Sequence, residues 1–281
     1  MPPVTPAPAR HPRVLQVTLR DLVGQRFNGY NLHRSLRELG WDSDMLVVHR
    51  RSADSRVHAH TRAGEWLAWS VYAAERATGL QGLLSPLALG LPLRRCFRDA
   101  EVVHWQIVYP HYVALPLVPS LARRRPTVWT LHDPWATTGH CVHPLDCERW
   151  RTGCGRCPDL HRTYAVWSDR TALVWKAKRR AFRHAPLTLV VSSRWMRERA
   201  AASPLLSHLP CHVIPFGLDL ATWCPRDRRV CREHLGIPPE AKVVAFRMAA
   251  GEKHRRAKGV PWLIEALLRL PPGAATDLIV F

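Results

Sequence analysis

The 281-residue chain carries 41 Lys and Arg against 22 Asp and Glu, a formal charge of +19, and 47% of its residues are apolar. That composition excludes a globally disordered chain and allows a substantial core. The charge favours an anionic partner, such as nucleic acid, an acidic membrane surface or a phosphorylated ligand, although Arg scattered along the chain fits a solvated surface equally well.

The leader, residues 1–12, is Pro-rich, reads as disordered and lacks the apolar stretch of a signal peptide. Arg13 to Thr18 is a strand candidate, followed by a loop with Gly24, Asn28 and Gly29. Leu32, Leu36 and Leu39 then recur at helical spacing, Gly40 ends the helix, and Asp44 to Val48 is the next strand. The chain thus opens as a βαβ unit. A helix is expected over Gly64 to Leu80. The apolar run Leu83 to Leu93 is broken by Ser85, Pro86, Gly90 and Pro92 and is too short to span a bilayer. Short β-rich runs at Glu101 to Trp105 and Thr127 to Leu131 read as buried parallel strands, with a helix over Tyr112 to Arg123 between them.

Residues 132–161 have no periodicity and are rich in Cys, His, Trp and Gly, as in a long functional loop. Helices over Ser168 to Arg183 and Ser193 to Ala202 flank a strand at Leu187 to Val191, and His212 to Ile214 forms a last short strand. The first domain is therefore expected over residues 13–217. Residues 218–281 read as a linker and the start of a second cycle: helix Arg229 to Leu235, strand Lys242 to Phe246, helix Val260 to Leu270, strand Asp277 to Phe281. Two parallel strands leave their faces uncovered, so the second domain is expected to be incomplete in this chain.

Four blocks carry a family resemblance: TLHDPWATTGHC (Thr130 to Cys141), CERWRTGCGRCPDL (Cys147 to Leu160), VVSSRWMRERAAASPLL with VIPFGLDLATWCPRDR (Val190 to Arg228), and RRAKGVPWLIEALLRL (Arg255 to Leu270). Together they resemble the colanic-acid type of sugar transferase within glycosyltransferase family 4. The resemblance implies an α/β chain of the GT-B type, with a Rossmann-like acceptor domain followed by a Rossmann-like nucleotide-sugar domain. It also implies transfer of a sugar from a nucleotide-diphosphate donor to a glycan or lipid-linked acceptor in polysaccharide or cell-envelope synthesis, with retention of configuration and no required cofactor. The family's donor domain carries a later pair of Glu residues, seven apart, which this sequence does not reach.

His132 and Asp133 follow a strand directly, at the edge where open α/β sheets bind ligands. His132 is the candidate contact near the reacting centre, and Asp133 is expected to orient it or the acceptor. Taken without the resemblance, the pair fits a helix cap beside a structural His. Gly29, with Gly24, would let backbone approach donor phosphates, or simply enter a helix. Lys258 and Gly259 open a helix whose N-terminus suits a leaving diphosphate, with Arg255, Arg256 and Arg247 as further candidates; a solvated basic loop is the bland alternative.

Cys141, Cys147, Cys154 and Cys157 are spaced C-x5-C-x6-C-x2-C, and the last pair resembles a zinc knuckle. A structural zinc stands against disulfides or free thiols. The expected location is cytoplasmic. The helix bearing Lys176, Lys178, Arg179, Arg180 and Arg183 is a candidate for peripheral contact with the anionic inner membrane face, or a solvated face. Two other readings remain: a non-catalytic remnant of such an enzyme, and a zinc-containing nucleic-acid binder, against which no recognition helix or aromatic-basic motif is visible.

Overall fold

The computed structural model describes residues 11–22, 28–109, 111–161, 163–246, 255–271 and 278–280. The chain divides into two compact units, Met1–Phe216 and Gly217–Phe281.

The first unit is built on β1 (Val14–Arg20), β2 (Ser43–His49), β3 (Val57–Ala59), β4 (Val102–Trp105), β5 (Thr127–Leu131), β6 (Leu187–Val191) and β7 (Cys211–Val213). These strands form one seven-stranded sheet in the order β3-β2-β1-β4-β5-β6-β7. Every pairing is parallel. The order reverses between β1 and β4, which is the switch point of a Rossmann-like sheet and opens a crevice at the carboxyl ends of those two strands. Helices α1 (Asn28–Glu38), α2 (Arg62–Thr78), α3 (Arg95–Asp99), α4 (Val118–Arg124), α5 (Thr171–Arg183) and α6 (Arg194–Ala202) connect the strands.

The sequence pattern explains most of these elements. β1, β2 and β5 are buried along nearly their whole length, as two-sided parallel strands require. Thr61 caps α2 through its hydroxyl, which accepts the Gly64 N–H, and Gly79 ends the helix at φ 73°. A Cβ at Gly79 would lie 2.1 Å from the Ser168 carbonyl oxygen, so no other residue fits there. The helix expected over Tyr112 to Arg123 is shorter. A 3-10 turn at Leu115–Leu117 leads into α4, because Pro116 and Pro119 each take a first-turn position where the missing N–H costs nothing. β3, α3 and a 3-10 helix at Leu87–Leu93 have no strong signature in the sequence.

The core is dominated by aromatic side chains. Trp105 and Trp129 meet edge to face, and Trp129 meets Phe182 likewise. Tyr109 stacks on Trp135 with ring centroids 4.0 Å apart and planes 3° from parallel. Trp135 also donates its indole N–H to Gln81 Oε1 at 2.6 Å. Each such burial contributes about 1.5–3 kcal/mol.

Lys178, expected on a basic helix face, has no exposure at all. Its ammonium donates to the Trp135 carbonyl at 2.6 Å and the Thr138 carbonyl at 2.9 Å, and it stands 3.2 Å from the Trp135 ring centroid. The position of residue 178 on the inward face of α5, beside buried Val174, Trp175 and Ala181, overrides its charge. Lys176, Arg179, Arg180 and Arg183 are exposed. Among the described residues no helix is long and apolar enough to cross a membrane.

In the second unit, α7 (Arg228–Leu235) and α8 (Val260–Leu268) accompany a two-stranded parallel sheet of β8 (Lys242–Val244) and β9 (Leu278–Val280).

Two stability predictions follow from this packing. A Cβ at Gly139 would meet the Thr171 carbonyl at 2.5 Å and Cys154 Cβ at 2.9 Å. Gly139→Ala should therefore cost about 1–3 kcal/mol, read as a lower urea midpoint at unchanged slope. Burial also holds His60 and His104 at about 4 and His111 at about 3, with Arg94, His132 and His49 respectively as lesser repulsive neighbours. These values lie below the ordinary 6.5, so the unfolded chain takes up protons first. The associated stability is complete above pH 6.5 and is lost as pH falls toward 4, at about 1.4 kcal/mol per pH unit for each proton. Denaturation midpoints measured from pH 7.5 to 4.5 should fall accordingly, and His104→Gln should flatten the curve.

Candidate active site

The carboxyl edge of the sheet gathers side chains from four strands. His132 leaves β5, and its Nε2–H donates to Gln106 Oε1 at 2.7 Å. Gln106 immediately follows β4, on the flank of the switch point. Its amide nitrogen points the other way, to Gln16 Oε1 at 3.3 Å and His104 Nε2 at 3.3 Å. His104 in turn lies 2.7 Å from Thr130 Oγ1. Gln16, Gln106 and Thr130 are all buried. This polar row through the sheet fixes the orientation of the Gln106 amide, and the amide fixes the tautomer of His132: the proton is on Nε2 and Nδ1 is the acceptor nitrogen. Burial lowers the His132 pKa to about 4, so the ring is neutral at ordinary pH. The Phe216 ring stacks on it, with centroids 5.2 Å apart.

Asp133 is engaged in the turn that follows β5. Its Oδ1 accepts the Trp135 N–H at 2.8 Å and caps the short 3-10 turn Pro134–Thr137. It also accepts from the Tyr109 hydroxyl, and burial raises its pKa to about 6 despite these bonds. The hydrogen bond that aligns His132 comes from Gln106, a residue the sequence reading did not single out. Its only sequence signal is a polar residue directly after an apolar strand.

A second cluster occupies the same edge on the other side of the switch point. Trp69 of α2 stacks on His111 at 5.9 Å, lies 5.4 Å from His49 at the end of β2, and is covered by the Arg20 guanidinium at 5.9 Å from β1. Tyr72 also contacts His111, at 5.0 Å, and meets Trp69 edge to face at 6.1 Å, so the three rings form one triangle. His111 has a left-handed backbone, φ 56°. It is 4% exposed, and neither ring nitrogen has a hydrogen-bond partner. Strain and unsatisfied buried polar atoms concentrate at functional positions. Asp21 ties the first two strand ends together by accepting the N–H groups of Leu22, Arg51 and Ser52.

The four loop cysteines line one small pocket with Gly139 and His140. Among the described residues no three His, Cys, Asp or Glu side chains are arranged to hold a metal ion. Cys154 Sγ accepts the Gly139 N–H at 3.1 Å, and the Cys157 thiol donates to the Asp159 carbonyl at 3.4 Å. Burial pushes the Cys154 thiol up to about 11, so it is a neutral packing group there.

Of the proposed donor contacts, Gly29 is buried in the first turn of α1; Gly24 and Arg247 lie outside the described residues. In the second unit Gly259 adopts φ 82° as the N-cap of α8. Its N–H donates to the Arg256 carbonyl at 3.1 Å, and Arg256 and Lys258 are exposed on that turn.

Comparison with known proteins gives this geometry its context. A 132-residue stretch is 32% identical to the Escherichia coli (strain K12) protein named "Putative colanic acid biosynthesis glycosyl transferase WcaC", covering 43% of this chain and 32% of that protein. The chain thus spans about a third of the length of this curated relative. The crystal structure of Medicago truncatula UGT71G1 complexed with UDP-glucose aligns over 91% of this chain and 65% of its own, at TM-score 0.41 and 10% identity. The model of the family described as Glycosyltransferase Family 4 matches residues 29–222, from the first helix through the cysteine loop to just past the last strand of the first unit. The chain belongs to glycosyltransferase family 4.

Proposed function

We propose that the first unit receives the acceptor in a GT-B transferase, and that the sugar comes from a nucleotide-diphosphate donor held chiefly by the second unit. The observation that carries this reading is a neutral His132, aligned by Gln106, at the carboxyl edge beside the strand-order reversal of a family 4 chain. Family membership and the polysaccharide role in the relative's name support a glycan or lipid-linked acceptor in envelope or exopolysaccharide synthesis.

In that reaction the acceptor hydroxyl oxygen bonds to the anomeric carbon as the bond from that carbon to the diphosphate breaks. We infer retention of configuration, with the hydroxyl proton leaving on the diphosphate oxygen. His132 Nδ1 accepts a hydrogen bond from a sugar hydroxyl and sets its angle of approach. This is a positioning contribution available across neutral pH because the ring does not ionise there. Arg20, His49, Trp69 and His111 form the acceptor side of the crevice. A half-exposed indole offers a flat apolar face for a sugar ring, and Arg20 offers charge for an anionic substituent. In the second unit, Arg256 and Lys258, on the turn that Gly259 closes ahead of α8, supply positive charge for the diphosphate. Asp133 holds the turn after His132.

Incubating the full chain with labelled UDP- and GDP-sugars should show micromolar-to-millimolar binding and slow donor hydrolysis. Neither binding nor hydrolysis with any of them would count decisively against the reading. His132→Ala should lower turnover about 10²- to 10⁴-fold, and between pH 5 and 8 the parent's profile should show no step that this substitution removes. Gln106→Leu should lower kcat about tenfold, the equivalent of one hydrogen bond, at little change in KM. It should also scramble the His132 tautomer seen by ¹⁵N NMR. A change in thermal stability alone would make Gln106 merely structural.

A further inference from the structure

Helix α2 is amphipathic in the wrong sense for a solvent-facing element. Its inward side buries Ala68, Val71 and Glu75. Its outward side presents Ala63, Trp66, Leu67, Ser70, Ala73, Ala74 and Ala77, all exposed and none charged. At helical spacing these positions form one stripe along the 17-residue helix. Trp66 is 75% exposed. A surface helix of a chain that is 22% charged normally carries its Lys, Arg and Glu on that side.

The segment after α2 extends the surface. The Leu84 N–H donates to Glu75 Oε1 at 3.0 Å, and the Arg94 guanidinium reaches the Ala59 carbonyl at 3.3 Å and His60 Nδ1 at 3.4 Å, just ahead of α2. The segment from Leu84 to Arg94, which contains the 3-10 helix Leu87–Leu93, therefore runs back from the last turn of α2 to its start. It leaves Leu89 62% and Leu93 80% exposed. The charges nearest the apolar residues are basic: Arg62 opens α2, and Arg94, Arg95 and Arg98 follow Leu93. Of the neighbouring acids, Glu75 is buried, Asp99 pairs with Arg13 and Arg95, and Glu65 is directed at the His49 ring, 4.0 Å from its Nδ1.

We infer that this face, with Trp66, Leu67, Leu89 and Leu93 as its apolar part and Arg62, Arg94, Arg95 and Arg98 as its rim, docks the first unit onto an anionic lipid bilayer. Exposed Trp and Leu suit the boundary between headgroups and acyl chains, and the exposed Arg62, Arg95 and Arg98 can lay their stems on the apolar surface while their guanidinium groups meet lipid phosphate; Arg94 adds charge while tying the segment to the start of α2. A protein partner covering this stripe would be expected to answer the arginine rim with acids of its own, whereas an anionic membrane supplies both the apolar layer and the negative charge. The location also fits: α2 begins directly after β3, at the same carboxyl edge as His132. The docking itself needs only the exposed face; its use, presenting a lipid-linked acceptor to that edge, rests on the function proposed above.

Co-sedimentation of the full chain, without any nucleotide sugar, tests it. Vesicles of phosphatidylcholine with phosphatidylglycerol should bind the protein at low salt. Pure phosphatidylcholine vesicles should bind at least tenfold less, and added salt should weaken binding. The double variant Trp66→Ser, Leu93→Ser changes only exposed side chains and should lower partitioning about ten- to a hundredfold, with circular dichroism unchanged. Trp fluorescence should be quenched by brominated lipid in the parent and markedly less in Trp66→Phe. Absence of vesicle binding, or equal binding by parent and double variant, would overturn the inference. So would loss of binding in a Lys176, Arg179, Arg180, Arg183→Gln variant but not in the double variant, or a parent dimer that the double variant converts to monomer. Vesicle binding without any donor turnover would leave docking standing and the transferase reading failed.

Discussion

The geometry of the site depends on a buried amine. Lys178 reaches out of α5 beneath the loop that follows β5 and takes hold of two of its backbone carbonyls, those of Trp135 and Thr138. Burial depresses its pKa well below the usual lysine range, against the opposing pull of Cys154, Cys141 and Asp133. The same amine sits over the Trp135 indole, whose other face is stacked on Tyr109. Trp135, Tyr109 and the Asp133 cap are thereby locked into one body, and the backbone of His132 is its first residue. Removing the amine would take a donor from each of two buried carbonyls, leaving the Trp135 carbonyl with only its longer bonds from the Thr138 N–H and hydroxyl, and an under-satisfied buried acceptor costs more than the bond itself contributes.

His132 is controlled from two directions. Its backbone is placed by the lysine-held turn, and its ring is placed by the Gln16–Gln106 row inside the sheet. A polar row through a parallel sheet is expensive unless each member is paired. Its concentration at the strand-order reversal makes sense if the purpose is to hold one imidazole neutral and in one tautomer at the crevice, where hydroxyl-bearing ligands of such sheets sit.

The strands were the most legible elements. β5 and β6 match their apolar runs residue for residue, because a strand buried on both sides has no freedom to be polar. The ends of α2 and α6 follow from Thr61, Gly79 and Ser193. What stayed hidden was everything determined by distant partners. Gln106 reads as the end of a strand until Gln16 and His132 are seen beside it. Lys178 reads as surface charge because sequence records its chemistry and not the carbonyls above it. The cysteine spacing suggests a knuckle, and only the folded loop shows Cys154 and Cys157 bonded to Gly139 and Asp159. Two prolines shortened the helix before β5 where periodicity alone extended it. The stripe on α2 was hidden for another reason: an apolar helix face ordinarily signals core, and only the coordinates show which side the sheet has already taken.

His111 sits at the far end of the crevice in a backbone conformation unfavourable for its residue type, packed against Trp69 and Tyr72, with two ring nitrogens that bond to nothing. Such a residue subtracts from the folding free energy of the free protein. Whatever occupant swings the indole aside and satisfies those nitrogens would recover that deficit as affinity. The resting chain is then less stable than its own scaffold permits, and selection for thermal robustness alone would erode this corner of the crevice first.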